Sequence, residues 1–220
     1  MDSLLEIVDT HYDEDDEMPN IFTHSPYYTN ELIGQAISLL SYKKDVFSIM
    51  SMNCQSIFAK IDQLQVYVNY FKESSCNFAI IALQETWLSD EHDLSLLQIT
   101  GYNFIHKPKI ASQHGGVAFY ILNNIKYKIL PVSIDDDVCD SLFLEVQLTP
   151  NDAHKCGKVI LGNVYRPPRN NNENIEIFTT KLEETISSFQ TSSQIVLMGD
   201  FNIDLLKINE KPLINDFLTW

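Results

Sequence analysis

Arginine is nearly missing from this 220-residue sequence: Arg166 and Arg169 are the only two. Long apolar runs are missing too. The longest, Phe78 to Leu83, has six residues, whereas a membrane-crossing helix needs about 20. The start of the chain lacks the basic and apolar regions of an export signal. Among Cys54, Cys76, Cys139 and Cys156 there is no CxxC pair and no Cys/His spacing of a metal site. Two disulfides would suit a secreted chain. Without an export signal, the expectation is reduced thiols in a nuclear or cytoplasmic protein with no membrane association.

Basic side chains are scarce, with 15 Lys and Arg against 30 Asp and Glu, a net charge of −15. The imbalance is uneven. Residues 1–42 hold nine acidic residues and no Lys or Arg. Such a stretch buries too little apolar surface to offset the entropy of ordering it. Residues 1–44 are therefore expected to form an acidic, largely disordered segment, with a short helix suggested over Glu31–Leu40. Residues 45–220 are expected to form one domain, since 45% of the chain is hydrophobic and suffices for a single sizeable core.

Periodicity sharpens after Asp45. Residues 46–52 alternate like a strand. Ser56 is placed to cap a helix running to about Ser74, with Ile57, Ile61, Leu64, Val68 and Phe71 on one face. Phe78–Leu83 reads as a buried strand. Residues 102–105, 116–122, 126–132, 142–148 and 158–165 read as further strands, spaced for antiparallel neighbours. A second amphipathic helix, 173–189, uses Ile175, Phe178, Leu182 and Ile186; a strand follows at Ile195 and a last helix near Lys211 or Pro212. This order predicts an α/β fold of two packed mixed β-sheets with helices outside.

The stretch from Ile195 to Asp204 runs from apolar residues into Gly199–Asp200–Phe201–Asn202. On residue type alone that suits an ordinary turn as well as a site. Asn53, Glu85 and Tyr165 also stand just past apolar strands. Equivalent strand exits can converge on one sheet edge, where open α/β folds place ligands. Asp200 and Asn202, two apart, project to one side of an extended segment. Arg166 and Arg169 share one loop, marked as exposed by Pro167–Pro168, where guanidinium forks suit phosphate oxygens; a solvated loop charge is the plainer reading. Gly115–Gly116 reads as a structural turn, and His114 as a surface histidine.

Five segments appear in order: Met52–Asn53–Cys54–Gln55–Ser56, Leu83–Gln84–Glu85–Thr86–Trp87–Leu88, Gly115–Gly116–Val117–Ala118, Val164–Tyr165–Arg166–Pro167–Pro168 and Gly199–Asp200–Phe201–Asn202. Together they resemble the endonuclease/exonuclease/phosphatase superfamily. More narrowly, residues 45–220 are similar to the apurinic-endonuclease-type domain of non-LTR (LINE-like) retrotransposon proteins. The resemblance implies a DNase I-like, four-layer α/β sandwich. It implies Mg²⁺ as cofactor, with Mn²⁺ as an alternative, and DNA as substrate. Glu85 and Asn53 correspond to the metal-site residues. Asp200 corresponds to the residue that orients or deprotonates water, Asn202 to a phosphate hydrogen-bonding neighbour, and Tyr165 to the phosphate-contacting tyrosine.

The match also has gaps. Gln55 stands where the family usually has Asp or Asn, and all six histidines precede Asp200, whereas the family carries an Asp-His pair beyond it. The expectation is a truncated domain lacking C-terminal strands, with impaired Mg²⁺-dependent phosphodiester hydrolysis. A phosphatase or phosphodiesterase of the same superfamily, or a non-catalytic remnant or binding module, are the alternatives. The sequence carries no sign of oligomeric state.

Overall fold

The alternating residues after Asp45 form strand β1 (Ile49–Asn53), and the apolar stripe that follows winds into helix α1 (Ile57–Glu73). The structure, a computed structural model, describes residues 47–74, 76–107, 114–134, 136–148, 157–168, 172–189 and 194–204. Strand β2 (Ile80–Gln84) comes next, then a short 3-10 turn (Leu94–Leu97), β3 (Tyr102–Lys107) and β4 (Val117–Leu122). The second half holds β5 (Tyr127–Ile129), β6 (Asp140–Leu148), β7 (Gly157–Tyr165), helix α2 (Asn172–Ser187) and β8 (Gln194–Asp200).

Two four-stranded sheets result, in the orders β1-β2-β4-β3 and β5-β6-β7-β8. Each contains one parallel pair, β1 with β2 and β7 with β8; the other pairs are antiparallel. A parallel pair needs a crossover connection, and α1 and α2 supply it.

Alternation along β2 sorts its side chains by layer. Ile81 and Leu83 face α1, where Ile57, Ile61, Leu64 and Val68 bury against them with Ala118 and Tyr120. Ile80 and Ala82 face the other sheet, packing with Phe119 and Ile121 against Leu142, Leu144, Val146 and Leu161. Phe178 and Leu182 of α2 cover the far side, on Phe143, Ile160 and Val164. The layers run helix, sheet, sheet, helix, as expected. Burying each large apolar side chain contributes about 1.5–3 kcal/mol, so the three apolar clusters hold the layers together.

Local details differ from expectation. The strand expected over 126–132 ends at Ile129. Leu130 still donates to Phe143 O at 2.9 Å, but Pro131 has no N–H to extend the ladder. Ser56 does not cap α1 with its side chain. Instead, the Ser56 and Ile57 amides donate to the carbonyls of Glu85 and Thr86 at 2.9 and 3.1 Å. The loop after β2 thus caps the helix through its backbone. The segment 1–44, the helix near Lys211 and residue Arg169 lie outside the described residues. Among the described residues, no helix is long and apolar enough to cross a membrane.

Candidate active site

The two parallel pairs end in register: Asn53 lies opposite Gln84, and Tyr165 opposite Asp200. Face-to-face packing of the sheets brings these ends together. Asn53 Nδ2 donates to Glu85 Oε1 at 2.6 Å and to Asp200 Oδ2 at 2.8 Å. Two carboxylates from different sheets therefore lie within hydrogen-bond reach of one nitrogen. Glu85 also receives the Trp87 indole N–H at 3.4 Å. Among the described residues, neither Glu85 nor Asp200 forms an ion pair.

The backbone around this cluster is held in uncommon conformations. The described non-glycine residues with positive φ are Gln55, Ser56, Glu85, Trp87 and Asn202, all in the loops leaving β1, β2 and β8. Such conformations cost about 1–3 kcal/mol each and persist where surrounding structure holds them. One holding element is buried between the sheets. Asn163 of β7 donates to Leu83 O and Ala118 O at 3.0 and 2.9 Å and accepts from Gln84 Nε2 at 2.6 Å. Another is Gly199, where a Cβ would stand 1.8 Å from Val164 O. Only glycine lets β8 approach β7 closely enough there to present Asp200.

Tyr165 is 5% exposed. Its phenol is pushed well above the usual tyrosine range by burial first, then by the Glu85 charge and hydrogen bond and the charges of Asp200 and Asp140. It keeps its proton and acts as a hydrogen-bond donor. Asp200 Oδ1 accepts the Asn202 backbone amide at 3.1 Å, and Asn202 Nδ2 donates to Arg166 O at 2.8 Å. One Asn202 amide hydrogen is therefore committed to the backbone.

Two further expected site residues, Asn53 and Arg166, are placed as follows. Asn53 presents its amide nitrogen to the carboxylates, while its Oδ1 accepts from Gln55 N at 3.3 Å. Through its nitrogen it bridges the two carboxylates. Arg166 is 0% exposed and does not suit phosphate binding. Its Nε, Nη1 and Nη2 donate to Phe201 O, Asn174 Oδ1 and Asn202 O at 2.7, 2.8 and 2.6 Å. The guanidinium fork is used inward, to hold the loop that carries Asp200 and Asn202. Sequence reasoning missed Gln84, Asn163 and Asp140, all buried polar residues. A lone amide inside an apolar run, as Asn163 is, marks a buried polar group that needs partners.

A cation fits the donor set. Among the described residues these carboxylates have no ion-pair partner, and their oxygens suit a hard ion such as magnesium or manganese. Among the described residues, no cluster of three or more His, Cys, Asp or Glu side chains has metal-holding geometry. Two carboxylates with several retained waters are, however, a usual magnesium arrangement.

The sequence profile of the Endonuclease/Exonuclease/phosphatase family matches residues 50–209. No curated protein sequence matches the chain. Among solved structures, the catalytic domain of human Nocturnin is similar with a TM-score of 0.51 and 15% identity, over 71% of this chain and 64% of that one. The endonuclease domain of TRAS1, a telomere-specific non-LTR retrotransposon, has a TM-score of 0.50 and 12% identity, over 71% of this chain and 60% of that one. The 3′ phosphatase NExo from Neisseria, bound to product DNA hairpin, has a TM-score of 0.52 and 19% identity, over 79% and 69%. The chain spans less than two thirds of the Nocturnin and TRAS1 domains. At these identities the likeness establishes the fold, the DNase I-like sandwich.

Proposed function

Because the chain belongs to the endonuclease/exonuclease/phosphatase family, we propose that its Glu85–Asp200 pair serves divalent-cation-dependent hydrolysis of a phosphate ester. The observation that carries this reading is the single Asn53 nitrogen shared by two carboxylates that have no ion-pair partner among the described residues. Glu85 and Asp200 would hold the cation, Mg²⁺ or Mn²⁺, which would supply charge neutralisation at a phosphate oxygen when bound.

The chain's own residues divide the remaining work. Asn53 fixes the spacing of the two carboxylates. Asp200, with Oδ1 anchored by the Asn202 amide, would orient the attacking water and take its proton as the water oxygen bonds to phosphorus; the P–O ester bond breaks and its departing oxygen takes a proton from solvent. Tyr165, kept protonated by its surroundings, would turn its one phenolic hydrogen from Glu85 to a phosphate oxygen when substrate binds. The second amide hydrogen of Asn202 is directed to the same group. Arg169 is the remaining arginine for phosphate contact.

DNA is the substrate we favour, cut as by a retroelement endonuclease. The support is the order of the motifs, above all Gln84–Glu85–Thr86–Trp87 and Tyr165–Arg166–Pro167–Pro168. A second reading, hydrolysis of a small phosphate ester, draws on the net charge of −15 and on the inward use of Arg166, since DNA binders usually present basic surfaces.

Nicking of supercoiled plasmid, run beside phosphate release from inositol phosphates, tests the proposal. Nicking that requires Mg²⁺ or Mn²⁺ and vanishes in Glu85→Gln is the expected result. Phosphate release without nicking would favour the second reading. Equal turnover by wild type and Glu85→Gln on both substrates would overturn the proposal.

A further inference from the structure

We propose that Asp140, a buried carboxylate outside the cation pair, is a positioning residue for Glu85 that acts through the Gly115–Gly116 turn. The inference rests on the reading of Glu85 and Asp200 as cation ligands. Asp140 opens β6 opposite Tyr165 and is 5% exposed. Its Oδ2 accepts the Gly116 amide at 2.9 Å. A Cβ at Gly115 would stand 2.5 Å from that same oxygen. Both glycines also have positive φ, +108° and +83°, which side-chain-bearing residues rarely adopt. The turn is therefore built to lie directly on the carboxylate.

The opposite side of the turn holds the Glu85 loop. Gly116 O accepts the Thr86 amide at 3.2 Å, and Gly115 O accepts the Trp87 amide at 2.8 Å. Glu85 and Trp87 have φ of +52° and +55°. A glutamate and a tryptophan do not stay there without support. The two amides after Glu85 are pinned to the turn, and the turn is pinned to Asp140. A hydrogen bond to an ionised acceptor is roughly twice as strong as one between neutral groups, so an aspartate suits the anchoring end. Asp140 belongs to the second sheet and Glu85 follows a strand of the first. The carboxylate thereby fixes where the first sheet's metal ligand sits relative to Asp200 on the second.

The test uses the full 220-residue chain and two readouts. The first is terbium(III) luminescence. Trp87 is a built-in sensitiser, its indole nitrogen 3.4 Å from Glu85 Oε2. The second is amide hydrogen exchange at Thr86, Trp87 and Gly116, with Leu130, which bonds Phe143 O, as a remote control. Partners behind a metal ligand typically contribute about 10–100-fold in affinity. Asp140→Ala is expected to weaken terbium binding about 10-fold or more. It is expected to speed exchange at the three loop amides while Leu130 keeps its rate. Asp140→Asn, which retains an acceptor oxygen, is expected to fall between Asp140→Ala and wild type.

Wild-type terbium affinity and loop exchange in Asp140→Ala would overturn the proposal. So would equal acceleration at Leu130 and Trp87, which signals general loosening. Failure of the cation reading looks different: Glu85→Gln would bind terbium as wild type does. In that event the three loop amides still decide whether Asp140 holds the loop: acceleration confined to them supports it, and unchanged rates refute it.

Discussion

Replacing Asn163 with alanine probes the junction between the two sheets at its most polar point. The side chain is fully buried and makes three hydrogen bonds, to Leu83 O, Ala118 O and Gln84 Nε2. Gln84 Nε2 retains Ser51 Oγ as a partner at 3.2 Å, so it is not orphaned. Leu83 O and Ala118 O each lose a donor in a space too closed for bulk water. At about 1–2 kcal/mol for each lost buried partner, plus a small cavity, the expected loss is about 2–4 kcal/mol. For a domain of this size that lowers Tm by about 5–15 °C. Urea unfolding followed by circular dichroism is the assay, with the m-value unchanged if the fold survives. Asn163→Asp at neutral pH is expected to cost at least as much, because an oxygen replaces the donor opposite two carbonyls. A loss below about 0.5 kcal/mol in Asn163→Ala would show that these bonds exchange freely with water. The claim that Asn163 locks Gln84, and with it the exit to Glu85, would then fail.

Three further outcomes are expected. Gly199→Ala must displace β8 from Val164 O, which a Cβ would approach to 1.8 Å. A loss of about 3 kcal/mol or more is expected, and unchanged urea stability would contradict the close approach. Arg166→Lys keeps the charge but not the fork that reaches Phe201 O, Asn174 and Asn202 O. It is expected to cost about 2–4 kcal/mol of stability; a pure KM effect at full stability would restore a substrate-binding role. Burial pushes the Cys54 thiol up to about 12, with the Glu85 charge adding to it. The unfolded chain's thiol ionises near its ordinary value of 9.0 while the folded one stays neutral. That contribution is whole below pH 9 and declines towards pH 12. Cys54→Ala should flatten the alkaline fall in stability, and an identical pH profile would refute the assignment.

Much of this molecule could be read from its residues. The stripe Ile57, Ile61, Leu64, Val68 and Phe71 is buried as its spacing requires. Asn53, Glu85, Tyr165 and Asp200 stand past apolar strands, and parallel pairing in register brings those exits together. The pairing itself is long-range. That β4 joins β2 on one side and β3 on the other depends on contacts no local pattern encodes. Arg166 sat beside two prolines and read as exposed, because inward use of a guanidinium depends on carbonyls 35 and 36 positions away. Asp140 follows the acidic run Asp135–Asp136–Asp137, and no motif in the sequence singles it out. Only the packing of the Gly115–Gly116 turn against β6 separates it from that run.

The central claim is that Glu85 and Asp200 hold one divalent cation between the sheets. Manganese soaked into crystals of the chain, with anomalous diffraction data collected above the manganese edge, tests it most directly. An anomalous peak is expected at metal–oxygen distance, about 2.1–2.2 Å, from carboxylate oxygens of both residues. A peak confined to other carboxylates, with none beside this pair, would contradict it.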